Sequence, residues 1–188
     1  MATDKILYIN ATVSNPSRTD ALARYLLSFL HGEIAEHKLT DLSLKYMDSA
    51  AISKRNADIS KQDYSSYPLA KEFASADIIV IAAPHYDLSF PSLLKTYIEN
   101  IYVIGLVTSY GADGTPVGLC RAKELYYVAT SGGPLETRFG YDYIKTLALD
   151  YFGIKRCELI AAENLDIYGS DTEAILEATR DKIDHLMK

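Results

Sequence analysis

The stretch Asp77–Ala83 (DIIVIAA), closed by Pro84, constrains this chain more than any other. It is apolar without alternation and rich in β-branched residues. A half-buried strand alternates apolar with polar side chains. A strand that does not alternate is covered on both faces, as in a parallel sheet with helices on either side. Pro84 has no N–H to give to a ladder and marks the strand's end.

The segments around it repeat one order. Lys5–Asn10 reads as a buried first strand. A helix follows over Thr19–Leu30, where Leu22, Tyr25, Leu26, Phe29 and Leu30 form one apolar stripe. Ser17 is placed to cap it, with Asp20 three residues on in a capping-box-like position. A weaker second strand is expected at Lys38–Leu42. Ser43–Tyr67 is polar and is left unassigned beyond a short helix of no fixed position. Pro68 opens a short helix, because proline suits a first helical turn. Pro91–Tyr102 is helical, with Leu94, Tyr97, Ile98 and Ile101 on one face. Residues 105–118 form a glycine-rich excursion that suits a hairpin or flap. Glu124–Thr130 and Arg156–Ala162 are further strands, separated by a helix over Tyr143–Phe152 that Gly153 ends. The last helix is expected to start at the capping box Ser170–Glu173 and to bury Ile175, Thr179, Ile183 and Leu186.

Strand then helix, repeated five times, implies right-handed crossovers and a parallel sheet. The expected fold class is α/β. It is a flavodoxin-like three-layer sandwich, with a five-stranded parallel sheet in the order 2-1-3-4-5 and helices on both faces. The 188 residues suit a single domain, 1–188, without internal repeats.

Composition excludes several functions. The longest wholly apolar run, Ile78–Ala83, is far shorter than the roughly 20 residues that span a bilayer, and no charged-then-apolar leader opens the chain. No membrane association is expected, and a cytoplasmic location is. The formal net charge of −6 and the scatter of Lys and Arg argue against nucleic acid, whose binding rests on basic patches. Cys120 and Cys157 lack CxxC spacing and are expected to be reduced and structural. His31, His37, His85 and His185 show no metal-ligand spacing, so no metal is expected.

In an open parallel sheet, ligands sit beyond the carboxyl ends of the strands where the strand order reverses, here between the first and third strands. Three loops face that crevice. Asn10–Thr19 ends at a helix N-terminus, whose free N–H groups and positive dipole end favour a phosphate. Ser17 and Thr19 add hydroxyls there, and Arg18 adds charge. Neither GxGxxG nor GxxxxGK[ST] is present, so hydroxyls and backbone would grip the phosphate. The plainer alternative is that Ser17 only caps the helix. Pro84–Pro91 (PHYDLSFP) puts His85, Tyr86 and Asp87 directly after a buried strand and adds Leu88 and Phe90. That mixture suits a flat, partly apolar ligand; the alternative is a loop packed on its own helix. Thr130–Phe139 (TSGGPLETRF) puts Gly132 and Gly133 where a ligand edge could approach the backbone closely, or where a tight turn needs them.

Three motifs now stand in order on the right elements: NATVSNPSRTDAL, APHYDLSFPSLLKTYIE and TSGG. Together they resemble those of the FMN-dependent NADH:quinone oxidoreductases, also called azoreductases. The first is similar to that family's serine-rich phosphate loop ending in Ser-x-Ser, here Ser17-Arg18-Thr19. The second resembles a P-M-Y-N-F loop and its following helix, and the third T-S-R-G-G. The similarity covers nearly the whole chain. It implies bound FMN, NADH or NADPH as co-substrate, and quinones or azo compounds as acceptors in a ping-pong cycle. It also implies a homodimer with flavin sites at or near the interface. Tyr97, Tyr102, Tyr110 and Tyr141, on or beside the site-forming segments, are of the residue type that interfaces favour.

By the same resemblance Ser17, Arg18 and Thr19 hold the phosphate. Pro84, His85, Tyr86, Asp87 and Leu88 line the ring's edge and face. Thr130, Ser131, Gly132 and Gly133 offer backbone donors to its polar edge. No obligatory general acid is implied, and His85, Tyr86 or solvent could relay protons. The departures are His85 for Met, Asp87 for Asn, Leu88 for Phe, Ala11 for a serine, and an arginine that is either absent or replaced by Gly132. They leave cofactor binding in place and put acceptor choice in question. Two other readings stay open. One is a flavodoxin-type electron carrier, which a steady-state NADH oxidation assay separates. The other is a flavin-free α/β protein acting on a phosphorylated small molecule, which the colour of the purified protein separates.

Overall fold

Successive residues of the central strand belong to two different cores. Ile79 and Ile81 are buried in one, Val80 and Ala82 in the other. Each such isoleucine or valine side chain contributes about 1.5–3 kcal/mol when fully buried, so both faces of the sheet demand a helical cover.

The structure is a computed structural model that describes residues 3–188. In chain order it has β1 (Asp4–Asn10), α1 (Arg18–Leu27), β2 (Gly32–Lys38), a 3-10 turn at Leu39–Asp41, α2 (Ser49–Ser60), α3 (Pro68–Ser75), β3 (Ile78–Ala82) and α4 (Ser92–Ile101). Then come β4 (Thr108–Tyr110), β5 (Pro116–Gly118), β6 (Glu124–Thr130), α5 (Tyr141–Thr146) with a π-helical turn at Leu147–Tyr151, β7 (Arg156–Ala162) and α6 (Thr172–Leu186). The five-stranded sheet runs β2-β1-β3-β6-β7 and is parallel throughout. That is the expected 2-1-3-4-5 order once the hairpin strands are set aside. α3, α4 and α5 bury Phe73, Leu94 and Ile144 against one face. α1 and α6 bury Leu22, Leu26, Leu176 and Ile183 against the other. Residues 105–118 do form a hairpin, with β4 and β5 antiparallel.

Several expectations need correction. The second strand lies at Gly32–Lys38, not Lys38–Leu42. It is the sheet's edge, and His37 is its one buried residue. Pairing with β1 holds it, not its own apolar content, so it carries no hydrophobic signature. Leu39, inside the expected strand, is instead buried in the turn that follows. Within Ser43–Tyr67 lies α2, capped by Asp48, whose side chain accepts from the Ala51 amide at 2.8 Å. α2 buries no residue fully, so periodicity could not reveal it. The last helix is capped by Asp171, not Ser170: Asp171 Oδ1 accepts from the Ala174 amide at 3.0 Å. The first helix stops at Leu27, three residues early. Gly153, at φ +78, ends the π-helical turn as expected.

Both cysteines are unpaired, and burial pushes the Cys120 thiol up to about 12 and that of Cys157 to about 11. No helix among the described residues is long and apolar enough to cross a membrane.

Candidate functional site

β1 has β2 on one side and β3 on the other, so the chain leaving Asn10 emerges where the sheet order reverses. A buried polar network fixes that exit. Asn10 Nδ2 donates to Asp20 Oδ1 and to Glu36 Oε1, both at 3.0 Å. Asn10 Oδ1 accepts from the Thr12 amide at 3.1 Å and from the Thr12 hydroxyl at 2.7 Å. The Tyr8 phenol donates to Asp20 Oδ1 at 2.6 Å. Burial, then the Asp20 carboxylate, hold that phenol far above its ordinary range. Arg24 reaches Asp20 and Glu36 from outside, each at 3.0 Å. Asp20 is therefore spent on this network rather than on a reciprocal capping box.

In front of the network stands the N-terminus of α1. Ser17 Oγ accepts from the Asp20 amide at 3.2 Å, so Ser17 is the cap. Its own O–H has no acceptor among the described residues, and neither do the amides of Arg18 and Thr19. Capping uses a lone pair and leaves the proton free, so the two roles proposed for Ser17 are compatible. Thr19 is buried and its Oγ1 lies 2.6 Å from Thr130 Oγ1. In such a pair one hydroxyl donates and the other keeps a spare proton. The contact also ties the first loop to the third.

The second loop is anchored by the His85 amide, which donates to the Thr130 carbonyl at 2.9 Å. Tyr86 and Ser89 then exchange backbone hydrogen bonds, each 2.8 Å, across a two-residue turn. Its central residues, Asp87 at φ 48 and Leu88 at φ 68, are both left-handed. This is the turn type that favours Asn-Gly. Asp tolerates the conformation, but leucine pays about 1–2 kcal/mol for it. Leu88→Gly is therefore expected to raise the melting temperature of the protein by a few degrees. A fall in melting temperature would show that the Leu88 side chain contributes more than its backbone costs.

The third loop is sewn to the β7–α6 connection. The Ser131 amide donates to Ala162 O at 2.9 Å, and the Leu165 and Asp166 amides donate to Ser131 O and Gly132 O at 3.1 and 2.9 Å. Ser131 thus has no free N–H, and Thr130 ends the β6 ladder. The amides of Gly132 and Gly133 have no acceptor among the described residues, so of the four expected backbone donors these two are available. A Cβ at Gly132 would come 2.6 Å from Asp166 Oδ2, so the carboxylate occupies space that a side chain at 132 would need.

One cavity of about 330 Å³ gathers these groups. Its walls are Ser14 and Pro16–Thr19 from the first loop, Pro84–Tyr86 from the second, Thr130–Gly132 from the third, and Asp166. The size is in the range of small-molecule sites. Nine of the twelve expected site residues line it. Asp87, Leu88 and Gly133 do not: the first two stand at the exposed tip of the turn. Gly133 turns its carbonyl to the Asn164 amide at 3.1 Å and to the Ser131 hydroxyl.

Sequence reasoning missed Asp166, which meets Arg18 Nη2 at 3.0 Å across the cavity mouth, and the supporting residues Asn10, Asp20 and Glu36. Arg18 and Asp166 are 148 positions apart, and no local pattern joins them. Farther along the third loop, the Arg138 guanidinium, with a smaller contribution from His85, holds the Glu136 carboxyl down at about 2.

A family model described as flavodoxin-like fold matches residues 4–187. The chain is 33% identical to an FMN-dependent NADH:quinone oxidoreductase of Clostridium beijerinckii, over 95% of this chain and 96% of that protein. It is 34% identical to FMN-dependent NADH:quinone oxidoreductase 2 of Clostridium acetobutylicum, with 95% of each covered. Among solved structures it resembles an FMN-dependent NADH-azoreductase from Bacillus anthracis in complex with FMN, with a TM-score of 0.80 at 20% identity, covering 98% of this chain and 97% of that one.

Proposed function

We propose that the chain is an FMN-dependent NADH:quinone oxidoreductase that also accepts azo compounds; it belongs to the flavodoxin-like family of enzymes of that name. The observation that carries the reading is the convergence of uncommitted donors on one cavity at the sheet's reversal point. They are the Ser17 hydroxyl, the amides of Arg18 and Thr19, a spare Thr19 or Thr130 proton, and the Gly132 and Gly133 amides nearby. Such a set fits a ligand with an anionic end and a polar ring edge.

Ser17, Arg18 and Thr19 hold the phosphate, using hydroxyl, amides and guanidinium at a helix N-terminus. Pro84, His85 and Tyr86 flank the ring, with Asp87 and Leu88 on the rim beyond. The Gly132 and Gly133 amides face its polar edge, where fixed donors stabilise developing negative charge without reorganising. FMN held there would supply the two-electron chemistry between NADH and the acceptor. His85 and Tyr86, both at the cavity wall, carry protons to and from solvent. The relatives' names favour NADH as the donor. Donor and acceptor take turns at one site in a ping-pong cycle.

The whole of 1–188 acts as one FMN-binding domain and assembles as a homodimer. Ile104, Tyr110, Val117 and Leu119, on and beside the hairpin, are each more than a third exposed and suit an interface. Tyr97 drops out of that argument: it is wholly buried, with its phenol 2.9 Å from His37 Nδ1. Sedimentation showing a monomer at micromolar concentration would contradict the dimer.

The expected results for the purified protein are oxidised-flavin absorbance bands and NADH oxidation that depends on an added quinone. Double-reciprocal plots should be parallel. A colourless protein that takes up no FMN would overturn the reading. Flavin without NADH turnover would favour the electron carrier.

A further inference from the structure

Among the residues that line the cofactor cavity, Asp166 is the one carboxylate. Arg18 and, in the second loop, His85 are the lining side chains that can carry positive charge. Asp166 Oδ1 meets Arg18 Nη2 at 3.0 Å. Its other oxygen, Oδ2, stands 2.6 Å from where a side chain at Gly132 would begin. One carboxylate thus reaches both the residue proposed to hold the phosphate and a residue proposed to face the ring's polar edge.

Backbone hydrogen bonds fix it there. The Asp166 amide donates to Gly132 O at 2.9 Å and the Leu165 amide to Ser131 O at 3.1 Å, while Thr172 Oγ1 donates to Leu165 O at 2.8 Å. Glu163, the other acid of this connection, accepts from the Leu135 amide at 2.8 Å. The side chain of Asp166 is held less firmly. The Arg18 and Asp166 side chains are 44% and 63% exposed, and ion pairs so open to water are weak and exchange readily. A phosphate offers Arg18 a second anionic partner. What Arg18 gives to that phosphate it withdraws from Asp166, whose charge is then less compensated.

We propose that Asp166 lowers the midpoint potential of FMN in this cavity and so makes the reduced cofactor a stronger reductant. Hydride from NADH carries two electrons and one proton, so its arrival adds one negative charge to the ring. The Gly132 and Gly133 amides favour that charge. A carboxylate beside Gly132 opposes it. The inference rests on the oxidoreductase reading, with Gly132 at the ring's polar edge.

The test is potentiometry of the FMN-loaded protein at alkaline pH, where the reduced ring keeps its charge. It compares the wild type with Asp166→Asn and Asp166→Glu. The side chain of Asp166 bonds only Arg18 among the described residues, so both variants are expected to fold. Asp166→Asn should favour reduced over oxidised FMN about tenfold, the low end of what a neighbouring charge does to an ionising group. For a two-electron couple that raises the midpoint by about 30 mV. Competition for Arg18 does not enter this shift: the phosphate is the same in both redox states, so its share cancels from their ratio. Asp166→Glu keeps the charge, and Coulomb energy falls only inversely with distance, so it should retain most of the low midpoint. An unchanged midpoint in Asp166→Asn would overturn the proposal and leave the oxidoreductase reading standing. A rise in Asp166→Glu as large as in Asp166→Asn would overturn it too. A protein that takes up no FMN would overturn both.

Discussion

Asn10→Ala is expected to destabilise the flavin-free protein by about 3 kcal/mol or more, the largest stability effect of any change at the site. Asn10 is almost wholly buried and makes four hydrogen bonds. Its loss leaves the Thr12 amide and hydroxyl without their acceptor, in a residue that is itself only 5% exposed. Each such orphan costs about 1–3 kcal/mol. It also removes the amide donor shared by the Asp20 and Glu36 carboxylates, leaving Arg24 and Tyr8 to hold them. Because Asp20 and Thr12 flank the loop proposed to hold the phosphate, flavin affinity should fall as well. Urea unfolding measures the first effect: the midpoint should drop at unchanged slope. A loss below about 1 kcal/mol would mean that water replaces the side chain and that the network is not a support.

Ser17→Ala is expected to weaken FMN by roughly tenfold to a hundredfold while leaving riboflavin nearly unaffected, the range for a hydrogen bond to a charged group. Riboflavin lacks the phosphate, so the comparison isolates the oxygen that Ser17 is proposed to meet. The same substitution removes the cap and should cost about 1 kcal/mol of stability in the absence of flavin. Both effects are expected together because the hydroxyl accepts from the Asp20 amide and still has a proton to donate. Equal weakening of both flavins, alongside a lower melting temperature, would reduce Ser17 to a cap. Asp166→Asn offers a related check at the same mouth. If Arg18 holds the phosphate as proposed, this carboxylate competes for it, so FMN should bind somewhat more tightly in the variant, with the gain shrinking at high salt.

The parallel sheet, its strand order and the two helical layers were legible in the sequence. The unalternating strands and the apolar helical stripes are local patterns, set by the need to cover both faces. The crevice where the sheet order reverses was legible for the same reason, since strand order locates it, and a cavity lined by the first, second and third loops lies there. Ser17 as a cap was legible from its capping pattern.

Elements that contribute little to burial were not legible. β2 is held by its neighbour's ladder, and α2 sits on the surface with no residue fully buried. The cross-chain contacts were not legible either. Arg18 with Asp166, Thr19 with Thr130, and Asn10 with Glu36 each join residues that no sequence period links. Tyr97 was read two ways, on the apolar face of its helix with Leu94, Ile98 and Ile101 and as an interface residue beside the site; it lies in the core, its phenol against His37. Local periodicity determined which elements form and in what order, because burial acts residue by residue. Which polar groups meet was decided only in the folded protein, because a hydrogen bond depends on distances between elements that the chain brings together only when the sheet has formed.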